Sequence, residues 1–205
     1  MRGIRSVCPR AGGRCQGGGR LSFRGFIAVD VRQSPRLEAL AADLRRESGS
    51  LKVVRTDQIH LTLKFLGDTE EGLVPEITTA LREATEGIPP FEIRIRGTGA
   101  FPSLGRMNVI WVGVEGAEPL ARIAERLEAS LEALGFPRER RPWKPHATLA
   151  RVKGYRDLEP VRRTLEAHRD EAFGTTAVDA IHLKKSVLRP EGAEYSIVET
   201  VPLTG

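Results

Sequence analysis

Cysteine is nearly missing from this chain: 205 residues hold two, Cys8 and Cys15, and none follows position 15. That excludes a disulfide-stapled body, and the Cys8 to Cys15 spacing suits no common zinc motif. A body without thiols fits a reducing, cytoplasmic setting. Long apolar runs are also lacking. None approaches the ~20 residues that a membrane-crossing helix needs, so no membrane partner is expected. Histidine is rare as well, with four in all, so each can be weighed singly.

The excess of basic residues sits in one stretch. The chain carries a formal charge of +5, yet residues 1–22 hold Arg2, Arg5, Arg10, Arg14 and Arg20 and no Asp or Glu. Without these five, 27 basic residues face 27 acidic ones, so the body is formally neutral. Global basicity is a property of the tail and says little about the folded unit. The tail also holds Gly12, Gly13, Gly17, Gly18 and Gly19 and few apolar residues. It cannot bury enough surface to offset its ordering entropy, so residues 1–22 are expected to be disordered and residues 23–205 to form one domain. A basic RNA-tethering arm is its functional reading, and an extended start before the folded unit the plainer one.

From Phe23 the pattern alternates between strands and helices. Phe26 to Val29 reads as a short strand ending at Asp30. Ser34 and Pro35 open a helix, and Leu37, Leu40, Ala41 and Leu44 repeat at helical spacing up to Gly49. Ile59 to Leu66 reads as a strand, Val74 to Ala84 as a helix, and Phe91, Ile93 and Ile95 as another strand. Gly97 to Arg106 (GTGAFPSLGR) reads as a loop punctuated by glycine and proline. Val109 to Val114 is a strand, and Leu120 to Leu134 an amphipathic helix stopped by Gly135. A loop from Phe136 to Pro145 leads into a strand from His146 to Val152. A helix near Pro160 to His168 precedes two C-terminal strands, Val178 to Leu188 and Tyr195 to Val201.

Two short motifs carry the chemistry. His60-Leu61-Thr62-Leu63 is followed by Leu66, and His146-Ala147-Thr148-Leu149 by Val152 at the same offset. On a strand, residues i and i+2 share a face. Each motif therefore presents an imidazole beside a hydroxyl and turns Leu61 and Leu63, or Ala147 and Leu149, toward a core. A lone His-x-Thr matches freely. With four histidines, two copies carrying Thr-Leu arise by chance on the order of once in 10⁴ sequences of this composition. The repeat suggests an internal duplication about a pseudo-twofold axis.

Two imidazoles and two hydroxyls meeting in one cleft suit the opening of a cyclic phosphodiester. One imidazole takes a proton from water while the other gives one to the departing ribose oxygen. The hydroxyls of Thr62 and Thr148 can donate to the non-bridging oxygens. Two histidines without a third clustered ligand make a poor zinc site, so no metal and no cofactor are expected. His168, in a charged helix end, and His182, with Lys184 rather than threonine at +2, read as structural.

The flanks Gln58 to Gly67 (QIHLTLKFLG) and Arg141 to Arg151 (RPWKPHATLAR), with the opening Phe26-Ile27-Ala28-Val29-Asp30 and Gly99-Ala100-Phe101-Pro102, resemble the LigT/ThpR branch of the two-histidine (2H) phosphoesterase superfamily. The resemblance covers about Phe23 to Leu203. It implies an α+β fold that is bilobal and pseudo-twofold, with two antiparallel-rich sheets flanking a central cleft and helices outside. It implies RNA 2′,3′-cyclic 3′-phosphodiesterase activity giving an RNA 2′-phosphate. Nothing in the sequence suggests an obligate partner, so a monomer is expected. The partners the resemblance implies are RNA with a cyclic phosphate end, tRNA halves among them. In this reading His60 is the proton donor, His146 the proton acceptor, and Thr62 and Thr148 bind phosphate. Arg151 matches a phosphate- or nucleotide-contacting arginine. Lying at i+5 from His146, it needs a bulge to reach the cleft.

Phe26 and Trp143 are candidates to stack on a base, with packing as the plainer role. Arg138, Arg140, Arg141 and Lys144 form a basic run that could touch an RNA backbone, or be a solvated loop. The alternatives are a 2′-5′ RNA ligase or 2′-5′ oligonucleotide phosphodiesterase, action on ADP-ribose cyclic phosphate, and a non-catalytic RNA-binding module.

Overall fold

A computed structural model describes residues 21–189 and 193–205. Residues 1–20 of the Arg/Gly-rich tail, Cys8 and Cys15 among them, lie outside these, whereas Ser22, expected to be disordered with the tail, opens the first strand. The described residues form nine strands and four helices: β1 (Ser22–Asp30), α1 (Pro35–Glu47), β2 (Leu51–Val53), β3 (His60–Glu70), α2 (Val74–Thr85), β4 (Phe91–Ser103), β5 (Arg106–Glu115), α3 (Glu118–Ala133), β6 (His146–Val152), α4 (Glu159–Ala167), β7 (Ala172–Val178), β8 (Ala180–Leu188) and β9 (Ala193–Pro202). Among the described residues no helix is long and apolar enough to cross a membrane.

The helices form where the pattern predicts them. Ser34 caps α1 by accepting the Leu37 amide at 3.2 Å, and Leu37, Leu40, Ala41 and Leu44 fill its buried stripe. Leu120, Ile123, Ala124, Leu127 and Leu131 do the same for α3. These stripes join the inward residues of the strands in one hydrophobic core, whose burial is the main stabilising term.

The strands form one antiparallel sheet in the order β7-β4-β5-β6-β3-β1-β8-β9, with β2 added beside β6, rather than two separate sheets. Four strands lie on each side of a seam between β6 and β3, which meet at one register pair, Leu61 with Ala147. The sheet curls. Three places from β3 in this order, β9 still brings the Tyr195 ring within 4.7 Å of the His60 ring.

Three expectations change. Gly97 to Arg106 is not a loop: β4 runs to Ser103, and only Leu104 and Gly105 turn the chain into β5. The glycines there serve a strand. Gly97, at φ 75°, sits where the β4–β5 register shifts, and Gly99 lies flat under the indole of Trp111. Glycine inside a strand marks a bulge or a close approach as well as a turn. The other two are β2 and β7, short strands that the apolar pattern does not mark. β2 has three residues, and β7 is an edge strand whose register shifts beside Gly174. A side chain at position 99 must displace Trp111, so Gly99→Ala is expected to cost about 1–3 kcal/mol, read as a lower urea midpoint at an unchanged slope.

Candidate active site

The two seam strands carry the two motifs. In β3, Leu61 and Leu63 are buried while His60 and Thr62 are half-buried; in β6, Ala147 and Leu149 are buried while His146 and Thr148 are half-buried. Leu61 lies opposite Ala147 in an antiparallel pair. One step out in each direction, His60 falls beside Thr148 and Thr62 beside His146. The four side chains occupy the corners of a square on the face away from the core, imidazoles on one diagonal and hydroxyls on the other.

Both rings are oriented by the same device. His60 Nδ1 lies 2.9 Å from the Gln58 carbonyl oxygen, and His146 Nδ1 lies 2.8 Å from that of Lys144. A carbonyl only accepts, so Nδ1 holds the proton in each ring. That leaves Nε2 as the atom whose protonation can change. Aromatic rings flank each imidazole. Phe26 and Tyr195 lie 4.9 and 4.7 Å from His60, and Phe101 stands edge-on 4.9 Å from His146. The Gln58 side chain accepts the Tyr195 amide at 3.0 Å, tying β9 to the residue that orients His60.

Matching bulges set what lies beyond each square corner. Along β5 and β6 the pairing steps from Trp111–Thr148 to Ile110–Ala150, leaving Leu149 extra. Along β1 and β3 it steps from Ala28–Thr62 to Ile27–Lys64, leaving Leu63 extra. Each bulge flips the alternation by one. Arg151, exposed, thereby turns to the face of His146 and Thr148. Phe65, its counterpart five residues after His60, turns to the face of His60 and is 57% exposed.

Sequence reasoning missed a cation in this face. Lys184 on β8 pairs with Phe26 of β1, is buried, and donates through Nζ to Asp30 Oδ1. Asp30 in turn pairs with His60. A lysine in a strand beside the apolar residues Leu183 and Ile181 was the available signal. Burial pushes the His60 imidazole below its ordinary pKa, and the charges of Lys184 and Arg151 push the same way; the Gln58 carbonyl and Asp30 oppose them. Arg151, from the second motif, is thus close enough to act on the histidine of the first.

The remaining candidates divide. Phe26 is 3% exposed, so its ring backs His60 and offers no free face to a base. Trp143 is half-buried, and its Nε1 donates to the Thr62 carbonyl at 2.8 Å, which pins its loop to β3. Arg138, Arg140, Arg141 and Lys144 are exposed. His168 packs at the end of α4, its Nδ1 2.8 Å from the Thr164 carbonyl. His182 pairs with Ala28 on the His60 side of the sheet, and its Nδ1 lies 3.1 Å from Thr200 Oγ1. Burial lowers its pKa as well.

The family model of the 2′-5′ RNA ligase superfamily matches residues 34–187, which takes in both histidines and Lys184. The chain belongs to the 2′-5′ RNA ligase superfamily. Within it, the chain is similar to the RNA 2′,3′-cyclic phosphodiesterase of Methanothermobacter thermautotrophicus, 33% identical over 89% of this chain and 100% of that one. It is likewise similar to that of Archaeoglobus fulgidus, 37% identical over 84% and 96%. Among solved structures, TT0787 of Thermus thermophilus superposes with a TM-score of 0.73 at 32% identity, covering 88% of this chain and 97% of that one. The superfamily assignment agrees with the α+β architecture and the curled antiparallel sheet.

Proposed function

We propose that this superfamily member hydrolyses RNA 2′,3′-cyclic phosphate ends to 2′-phosphomonoesters by two-histidine acid–base catalysis without a metal. The observation that carries the reading is the square of His60, Thr62, His146 and Thr148, with both imidazoles held at Nδ1 and free at Nε2. The relatives' activity supports the substrate class. The matching strand order and matching bulges on the two sides of the seam support an internal pseudo-twofold duplication.

In the proposed step, His146 Nε2 removes a proton from water as its oxygen attacks phosphorus. The bond from phosphorus to O3′ breaks, and His60 Nε2–H protonates O3′. The hydroxyls of Thr62 and Thr148 donate to the non-bridging oxygens, where charge accumulates. Arg151 adds a charge-assisted contact, and Phe65 offers an exposed ring to the terminal base. The cations nearest His60, Lys184 and Arg151, repel a metal ion and attract a phosphate.

Burial and the two cations favour neutral His60 before substrate binds, whereas an acid must hold its proton. The bound phosphate anion supplies the missing term, since a negative charge within a few ångströms favours imidazolium. The acid is therefore armed by its own substrate. Two variants test the electrostatics directly. Asp30→Asn removes a charge that raises the His60 pKa, so its NMR titration moves to lower pH. Lys184→Met removes one that lowers it, so the titration moves to higher pH. Opposite movements would refute the arrangement.

The activity is tested by product analysis on an oligonucleotide ending in a 2′,3′-cyclic phosphate, in excess chelator. The expected product is the 2′-phosphate. A 3′-phosphate product, or turnover lost in chelator and restored by a divalent ion, would overturn the reading.

A further inference from the structure

The segment 136–145, which carries the chain from α3 to His146, is pinned to the seam. Lys64, with 1% of its side chain exposed, donates to Glu128 Oε2 and to the Pro137 carbonyl, both at 2.7 Å. Glu128 Oε2 also accepts the Glu139 amide at 3.0 Å. Further on, Trp143 Nε1 reaches the Thr62 carbonyl at 2.8 Å. A buried lysine and a tryptophan thus fix this segment against the strand of the first motif, at Pro137, Glu139 and Trp143.

Between those pins the arginines stand out. Arg138, Arg140 and Arg141, with Glu139 and Pro137, form one wall of an open depression of about 640 Å³ whose other wall is Phe65, Leu66 and Gly67. That is within the roughly 300–1,000 Å³ range of ligand sites. Arg138 pairs with Glu132 at 2.8 Å. Among the described residues, Arg140 and Arg141 have no hydrogen bond or ion pair, so their charges are available to a partner. The depression meets the reactive face at Phe65.

We propose that this groove binds the single-stranded RNA immediately 5′ of the cyclic end, through its phosphodiester backbone. The inference rests on the cyclic phosphodiesterase reading for its substrate and deepens it. The reacting phosphate occupies the 3′ terminus, so all the rest of an RNA substrate lies on its 5′ side and must leave the square across one edge. At the Phe65 edge it meets a fixed wall bearing two unpaired guanidiniums, complementary to a polyanion and indifferent to base sequence. Because Lys64 and Glu128 hold the backbone still, the arginines are presented without a backbone ordering cost at the moment of binding.

The test is fluorescence anisotropy with the intact chain and two product-like probes, a decanucleotide and a dinucleotide, each ending in a 2′-phosphate. Each phosphate contact contributes about 0.7 to the slope of log affinity against log salt for a single strand. R140A/R141A is therefore expected to reduce the decamer slope by about 1.4 and to weaken the decamer about tenfold more than the dinucleotide. An unchanged slope, or equal weakening of both probes, would overturn the groove. Turnover of a cyclic-ended decamer is scored on the same samples. Its absence together with the altered slope would remove the phosphodiesterase reading and leave the RNA groove standing.

Discussion

Alanine at either His60 or His146 is expected to reduce turnover of a cyclic-phosphate-ended RNA by about 10³-fold, in line with the 10²–10⁴ that a positioned acid or base contributes. Each ring supplies a single Nε2 to the reaction, because Nδ1 is committed to the Gln58 or the Lys144 carbonyl. No second imidazole stands where either could be replaced: His182 is tied to Thr200, and His168 lies at the end of α4 against Thr164. Acid and base act in one step, so the double variant is expected to lose little beyond the worse single one. Circular dichroism should match the parent for all three, since each imidazole is only half-buried and faces away from the core. A single variant retaining more than a tenth of the parent rate would show that its histidine moves no proton in the reaction.

What sequence could reveal followed from periodicity. The alternation of His60, Leu61, Thr62 and Leu63 gives both faces of the strand, and the structure buries the leucines as the pattern requires. The seam itself was hidden, since nothing local says that β3 and β6 pair with each other across a separation of 86 residues between Leu61 and Ala147. Arg151 was legible as a candidate, but its direction depended on Leu149 standing extra in the ladder. A bulge is a property of two strands, and one strand's sequence does not encode it alone. The same reasoning applies to Phe65, whose role appears only once Leu63 is seen to be extra.

Phe26 and Trp143 both take packing roles that sequence offered as the plainer reading. Large aromatics beside a site most often contribute packing area, and the polar end of a buried indole finds a partner, here the Thr62 carbonyl. Glycine, by contrast, misleads. The cluster from Gly97 to Gly105 reads as chain reversal, whereas Gly99 is small because Trp111 of the neighbouring strand lies on it. Lys184 and Asp30 are far apart in sequence and meet only through the pairing of β1 with β8. Their ion pair therefore could not be inferred before the sheet order was known.

Lys64→Ala is expected to destabilise the protein by about 3 kcal/mol, the lower end for breaking a buried ion pair. Lys64 has 1% of its side chain exposed and Glu128 22%, so the abandoned carboxylate regains only part of its hydration. It also keeps only the Glu139 amide as a partner, and the Pro137 carbonyl loses its donor. Replacing both charges at once separates stability from positioning. In K64M/E128L neither charge is left alone, and apolar exchange of a buried pair is often neutral or better, so most of the loss should be recovered in urea unfolding. The bonds to Pro137 and Glu139 are not recovered. The double variant should therefore be nearly as stable as the parent yet bind the decanucleotide more weakly, because Arg140 and Arg141 must then be ordered on binding. A Lys64→Ala variant within 0.5 kcal/mol of the parent, against the ~3 kcal/mol expected, would mean that this pair is solvated in solution and does not hold the loop.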